Sequence, residues 1–308
     1  MKRKLVSRII TLIAMGVLIL DSRHAAESAW EGIELCIRTV IPSLFPFFVL
    51  SIYLTGNMGK QNAAASVVLS GFLGGYPVGA QAAAENLRRH SLNQAQANRM
   101  LMFCSQAGPA FLFGMAARQF PEVKYGWYLW ATQILSAVSV AALLPKSEIP
   151  PGMAAEDTGV SLADAMKDAL RAISSVCGWV VLFRVILGYV GQIPLADPWD
   201  TLLWGILELT NGCVNLVAIE DLSTRFLLAA AMLNFGGLCV FAQTLSVARD
   251  LDIRYYLAGK LLQTGFCIPY ALFFLGHWQA IIPVFCLILL LRRGIPAKRG
   301  SIPAKVGV

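Results

Sequence analysis

Long apolar runs leave this chain few ways to fold. Residues 5–20, 38–56, 63–82, 100–117, 126–145, 173–191, 200–219, 226–247, 255–275 and 278–292 are each predominantly apolar. A helix that crosses a bilayer needs about 20 such residues. The chain is 57% hydrophobic and 14% charged, where a soluble domain carries roughly 25% charged residues. It therefore lacks the polar side chains to clothe a water-exposed surface of this size. Alternation with period two is missing from the runs, which argues against a barrel. The expected class is an all-α, polytopic membrane protein.

The hydrophobic pattern occurs twice. When TVIPSLFPFFVLSIYLTGNMG (39–59) is laid on RAISSVCGWVVLFRVILGYVG (171–191), Ser43 falls on Ser175, Val49 on Val181, Leu50 on Leu182, Gly56 on Gly188 and Gly59 on Gly191. Each copy is followed by an apolar stretch interrupted in its middle, SGFLGGYPVGA (70–80) and WGILELTNGCV (204–214). A third pair follows, CSQAGPAFLFG (104–114) against MLNFGGLCVFAQ (232–243). Weak internal repeats with interrupted apolar segments at corresponding places are the mark of secondary transporters, and the interruptions point to the substrate site.

Positive charge orients the chain. The basic start MKRK is expected to stay cytoplasmic ahead of an uncleaved first helix, although HAAESA offers small residues suited to a signal-peptide cleavage site. Letting 63–82 and 200–219 dip into the membrane and return moves Arg88, Arg89, Arg99, Lys146, Lys167 and Arg171 to the cytoplasmic side, where the rule wants them. Lys260 counts among the cytoplasmic loop charges in that scheme. The expected architecture is two inverted repeats, each with a re-entrant helical hairpin, and about eight crossings plus two hairpins. The expected divisions are an anchor helix and external loop (1–37), a first repeat (38–145), a connector with an amphipathic helix (146–172), a second repeat (173–276), and a last helix with a basic tail (277–308). In the connector, Ser161 and Asp164 predict a helix start, with Leu162, Ala165, Met166, Ala169 and Leu170 on one apolar face.

The breaks hold the candidate binding residues. Gly74, Gly75, Tyr76, Pro77 and Gly79 cannot form comfortable continuous helix, because proline removes a donor and clashes with the preceding turn. Asn211 and Gly212 mark the matching break. Irregular backbone at membrane depth is tolerated only inside protein or facing water, and exposed helix N-termini suit a carboxylate. Ser105, Gln106 and Gly108 pair with Asn234 and Gly236, placing two amides beside two breaks. Each of these sites is equally readable as a packing feature. Arg184 and Glu208 are ionisable groups within apolar runs. Arg184 either attracts an anionic solute or pairs with Glu208, and the pair is the simpler reading. Asn215 and Gln243 are weaker members of the same polar path, and Tyr76, Phe111 and Phe45 could stack on a planar ring.

The sequence offers no phosphate-binding Gly-Lys-Ser loop, no metalloprotease His-Glu pair and no Ser/His/Asp set. The seven cysteines read as small apolar filler and the three histidines are far apart. No enzymatic activity, no cofactor and no metal are therefore expected, and the net charge of +7 is explained by orientation rather than by nucleic acid.

IPSLFPFFVLSIYLTG, SGFLGGYPVGA and NRMLMFCSQAGPAFLFG, in that order, resemble the sporulation integral membrane protein YlbJ family. The resemblance is strongest over 27–117. It implies nucleoside-recognition (Gate) regions related to concentrative nucleoside transporters. It further implies a role in endospore formation, at the mother-cell-derived outer forespore membrane, with dipicolinic acid as the first candidate solute. A nucleoside or nucleobase carrier and a non-transporting sporulation scaffold are the alternatives. The expected partners are the solute, the lipid bilayer, and a second copy or other sporulation membrane proteins.

Overall fold

The computed structural model describes residues 2–59, 62–144, 159–191 and 195–294, and every regular element among them is helical. Five helices are long and apolar enough to cross a membrane: Ser22–Gly56, Lys124–Leu143, Leu162–Val190, Leu222–Val247 and Ile253–Phe274. The expected eight crossings are not all present as single long helices, because breaks cut the remaining apolar runs into short pieces.

Helix α1 (Lys2–Leu20) is followed by α2 (Ser22–Leu35), which runs through a π turn at Cys36–Val40 into α3 (Ile41–Gly56). The stretch expected as an external loop before residue 38 is therefore helix. Its charged residues Glu27, Glu31 and Arg38 are exposed and Glu34 is half-buried, where charge does not oppose helix formation.

The next two helices form a hairpin. Helix α4 (Ala63–Leu69) ends in a π turn at Ser70–Gly74, and α5 (Val78–Arg88) returns alongside it. Asn86 Nδ2 donates to Ser66 Oγ at 3.3 Å, and a Cβ on Gly79 would lie 2.7 Å from Gly71 Cα. The hairpin therefore closes as tightly as two glycines allow. Helix α6 (Gln94–Leu101) starts from a capping box, Asn93 and Gln96, and gives way to extended chain. Helix α7 (Pro109–Gly114) resumes the path, and α8 (Lys124–Leu143) follows.

Helix α9 (Leu162–Val190) joins the expected amphipathic segment and the following span in one rod. Ser161 accepts from Asp164 N at 3.1 Å, as its position predicted, and its hydroxyl donates to the Asp164 carboxylate at 2.7 Å. Ala165, Ala169, Ala172, Ile173, Val176, Val180 and Leu187 bury one face of α9; small residues let α2 and α3 lie close along it. The rest of the connector, 145–158, and the tail, 295–308, lie outside the described residues.

A second hairpin follows. Helix α10 (Trp199–Leu207) turns back at Glu208 into α11 (Leu209–Asn215). A Cβ on Gly212 would stand 2.2 Å from Gly205 Cα, so these glycines again permit the contact. Helices α12 (Leu222–Phe235) and α13 (Gly237–Val247) are separated by a left-handed glycine, and α14 (Ile253–Phe274) packs on α8 and α12. Helix α15 (Ile282–Gly294) packs against α8.

The hairpins open in different directions. Arg88 at the end of α5 bonds Asp250 beyond α13 at 2.8 Å, and Asn57 after α3 bonds Val160 before α9 at 2.9 Å. The first hairpin thus opens where α3 ends and α9 starts. The second opens where α9 ends: a Cβ on Gly191 would meet the Trp204 ring at 2.8 Å.

Candidate functional site

Four breaks occur among the described residues: the first and second at the hairpin tips, Gly75 and Glu208, and the third and fourth at residues 104–108 and Gly236. At the first, Gly75 adopts φ +83° and ψ −166°, a conformation that side chains resist. At the fourth, Gly236 takes φ +86° and closes α12 with its N–H on Met232 O at 2.8 Å. At the third, the chain from Cys104 to Gly108 runs without helix until Pro109 restarts it at the first helical position, where its missing donor costs nothing.

The second break lies earlier than expected. The helix interrupts at Glu208, with φ −144° and ψ 117°, not at Asn211 and Gly212, which are inside α11. Glu208 is 2% exposed. Its carboxylate accepts from Thr210 N at 3.0 Å, Asn211 N at 2.8 Å and Asn211 Nδ2 at 2.7 Å. It is therefore the N-cap of α11, and the N–H groups expected to greet a solute there already hold an anion from the chain itself.

The two hairpin tips face one cavity of about 40 Å³. Tyr76 from the first tip, Gly108 and Phe111 around the third break, and Glu208, Leu209 and Thr210 from the second tip line it. Leu44, Val176, Val180 and Gln243 are among the other residues of the wall. The tips also touch the other breaks. A Cβ on Gly75 would meet Gly108 N at 2.8 Å, and one on Gly237 would meet Gly205 O at 2.9 Å.

A buried polar network fastens these ends together. Tyr76 Oη donates to Leu233 O at 2.9 Å, an end-of-helix carbonyl of α12. Lys260 Nζ donates to Tyr76 Oη at 2.9 Å and to Gln263 Oε1 at 3.0 Å. Gln106 Nε2 donates to the same Gln263 oxygen at 2.7 Å and to Phe103 O at 2.8 Å. Gln263 Nε2 donates to Met102 O, where α6 ends, at 2.6 Å. Carbonyls at helix ends have no partner within their own helix, and two of them, Leu233 O and Met102 O, find donors here.

Lys260 corrects the expectation of a loop charge. It is 1% exposed, on the buried face of α14 with Tyr256, Gly259, Gln263, Phe266, Cys267 and Tyr270. Among the described residues no carboxylate lies within ion-pair distance of it. The available signal was Gly259-Lys260 with Gln263 one turn on, polar groups on one face of an apolar run. A Cβ on Gly259 would lie 2.1 Å from Met102 O, so glycine there admits the end of α6.

Arg184 does not pair with Glu208. It donates to Glu31 of α2 and lies over the Trp204 ring, 5.1 Å from its centroid. It is absent from the cavity wall. Asn234 is buried, but its Nδ2 bonds Ala230 O within its own helix at 2.8 Å, so the two amides paired by the repeat hold different partners. Ser105 Oγ, Gln106 Oε1 and Asn234 Oδ1 are buried without a hydrogen-bond partner. Gly74 ends the π turn ahead of the first tip, and Pro77 precedes α5.

Toward the end where α5 and α13 finish, an open cavity of about 410 Å³ is lined by Arg88, Arg171 and Arg249 with Gln81, Asp168, Ser175 and Ser246. A neighbouring cavity of about 100 Å³ shares Gln81 and Asp168 and reaches Val78, which follows the first tip.

Paired helical hairpins, five spanning helices and broken helices around a buried cavity define a polytopic helical membrane protein. The chain is 22% identical over 336 aligned residues, 88% of its own length and 81% of the other, to the sporulation integral membrane protein YlbJ of Bacillus subtilis (strain 168). That similarity supports membership of the YlbJ family. No family model matches the chain, and no solved structure matches it.

Proposed function

We propose that this chain is a membrane carrier, not an enzyme, which passes a small planar anion between its two hairpin tips. Dipicolinic acid across the outer forespore membrane is the first candidate. The observation that carries the reading is that Tyr76 and Glu208, from the tips of separate hairpins, line the same buried cavity. A scaffold has no use for four helix breaks at membrane depth, each of which needs its backbone groups satisfied inside the protein. The opposed openings of the hairpins support an inverted-repeat arrangement, in which access alternates as one repeat rocks against the other.

Anion preference is supported by the arginine-lined mouth, since guanidinium groups recognise carboxylates through paired hydrogen bonds. The cavity at the tips is far smaller than a pyridine dicarboxylate, so the arrangement corresponds to a closed stage of the cycle. The sporulation role comes from the relative's name together with the quoted motifs. A nucleoside carrier is the second reading, favoured by the Glu208 carboxylate on the cavity wall, which would accept from ribose hydroxyls.

Purified protein in proteoliposomes should take up labelled dipicolinate, with unlabelled dipicolinate competing and uridine not competing. Competition by uridine alone would favour the nucleoside reading, and uptake of neither would reject transport of both solutes. A clean gene deletion should give spores poor in dipicolinate while the mother cell still makes it.

A further inference from the structure

We propose that Arg171 and Arg249 form a binding site for a small dicarboxylate, set apart from the hairpin tips, in the open cavity between α5 and α9. Binding there stands on the cavity alone, and only its use as a loading station rests on the transport reading.

The cavity lies between two helices that share a neighbour. Both α5 and α9 pack on α13. Arg88 Nε ties the end of α5 to Asp250 beyond α13 at 2.8 Å, and Trp179 Nε1 of α9 donates to Ser246 Oγ of α13 at 3.0 Å. Around these ties the walls stand apart and leave about 410 Å³, a volume typical of small-molecule sites.

The donors on that wall differ in what they already hold. Arg88 is engaged on every nitrogen: Nε with Asp250, Nη1 with Glu85 at 2.8 Å and Nη2 with Val247 O at 3.4 Å. Arg249 makes no hydrogen bond or ion pair among the described residues. Arg171 has one partner, Asp168, which accepts from Nη1 at 3.1 Å, and its side chain is 82% exposed. An exposed pair three residues apart on a helix holds weakly, and a guanidinium carries further N–H donors beyond the one in use. The side chains of Gln81 and Ser175, on the same wall, also make no hydrogen bond among the described residues.

Two open guanidinium groups, one on α9 and one beyond α13, thus border a single cavity. Each can take a carboxylate through paired N–H bonds, so an anion with two carboxylates satisfies both. A phosphate offers its oxygens from one centre and suits two separate walls less well. The deeper cavity of about 100 Å³ has the opposite character: Glu85 and Asp168 line it with Arg89, whose Nε is held by Glu85 at 2.7 Å. Its carboxylates oppose entry of an anion, so the dicarboxylate rests at the mouth in this conformation. In the transport reading the solute waits there before the first hairpin moves, at the basic end that charge orients to the cytoplasm.

The test is titration calorimetry on the purified full chain in detergent at low salt. Succinate and dipicolinate should both bind, and acetate, which satisfies one guanidinium, should bind about tenfold more weakly. Arg171→Gln and Arg249→Gln should each weaken both dicarboxylates by about tenfold. Arg254→Gln removes the same charge near the same end from a residue that is paired with Asp252 and outside the cavity wall, and should bind as wild type does. An equal loss in Arg254→Gln, or no loss in either wall variant, would overturn the site. Displacement of succinate by equimolar inorganic phosphate or phosphatidylglycerol would assign the arginines to a phosphate or a lipid headgroup and overturn the dicarboxylate. Absence of binding by both dicarboxylates would also sink the proposal, whatever the uptake assay reports. Uptake in proteoliposomes that persists in Arg171→Gln and Arg249→Gln with unchanged calorimetry would leave transport standing and remove only the mouth site.

Discussion

Gly75 and Gly108 meet backbone to backbone: a Cβ on Gly75 would stand 2.8 Å from Gly108 N, and a Cβ on Gly108 would stand 3.1 Å from Gly75 Cα. The first hairpin tip is thus seated directly on the third break, and neither position has room for a side chain. Gly75→Ala is expected to lose roughly 1–3 kcal/mol through its backbone conformation and a similar amount through crowding. Gly178→Ala in α9, where nothing lies within 4 Å of the added carbon, is the control and should not destabilise, since alanine is favoured over glycine inside a helix. Thermal unfolding of the two variants in detergent checks this.

The Tyr76 hydroxyl joins the first tip to both Lys260 and α12. Tyr76→Phe keeps the ring on the cavity wall and removes only the hydroxyl. Leu233 O then loses its donor and Lys260 one acceptor, at a cost of about 1–3 kcal/mol. The melting temperature should fall and uptake should fall with it. Unchanged stability would mean that the hydroxyl chain does not hold the tip.

Glu208 caps α11, and Glu208→Ala should cost about 1–2 kcal/mol through the lost cap. The loss should be local, so hydrogen exchange at the amides of residues 210 and 211 should accelerate while the first hairpin stays protected. Glu208→Gln, which keeps one carbonyl acceptor, should fall between the two.

Arg184 belongs to the α2–α9 contact. Because the Glu31 side chain is 55% exposed, their coupling in a double-mutant cycle of Arg184→Leu and Glu31→Gln should be about 0–1 kcal/mol. Arg184→Leu should leave the KM for solute uptake unchanged, since the residue is outside the cavity wall. A raised KM would return Arg184 to the binding site.

Much of this fold could be read along the chain because its causes are local. Apolar runs, the Gly-Gly-Tyr-Pro sequence and Ser161 each act on their own few residues, and most of the helices, the first break and the start of α9 follow from them, whereas the interruptions at residues 104–108 and at Gly236 fall inside runs expected to be continuous. Asn211-Gly212 looks like a breaker, yet the second break lies earlier, because Glu208 ends one helix and caps the next through its own carboxylate.

Partnership could not be read that way. Arg184 meets Glu31 rather than Glu208, Gln106 finds its partner in Gln263 of a distant helix, and Lys260 lies in the interior rather than in a loop. In a membrane chain a polar residue within an apolar run signals that it must be satisfied, but many distant groups could satisfy it. The sequence by itself determined where helices form and where they must stop, since those outcomes depend on neighbours along the backbone. Only the packing of α6, α12 and α14 around one point decided which broken end receives which donor, because hydrogen bonds and charge depend on distances that chain order does not contain.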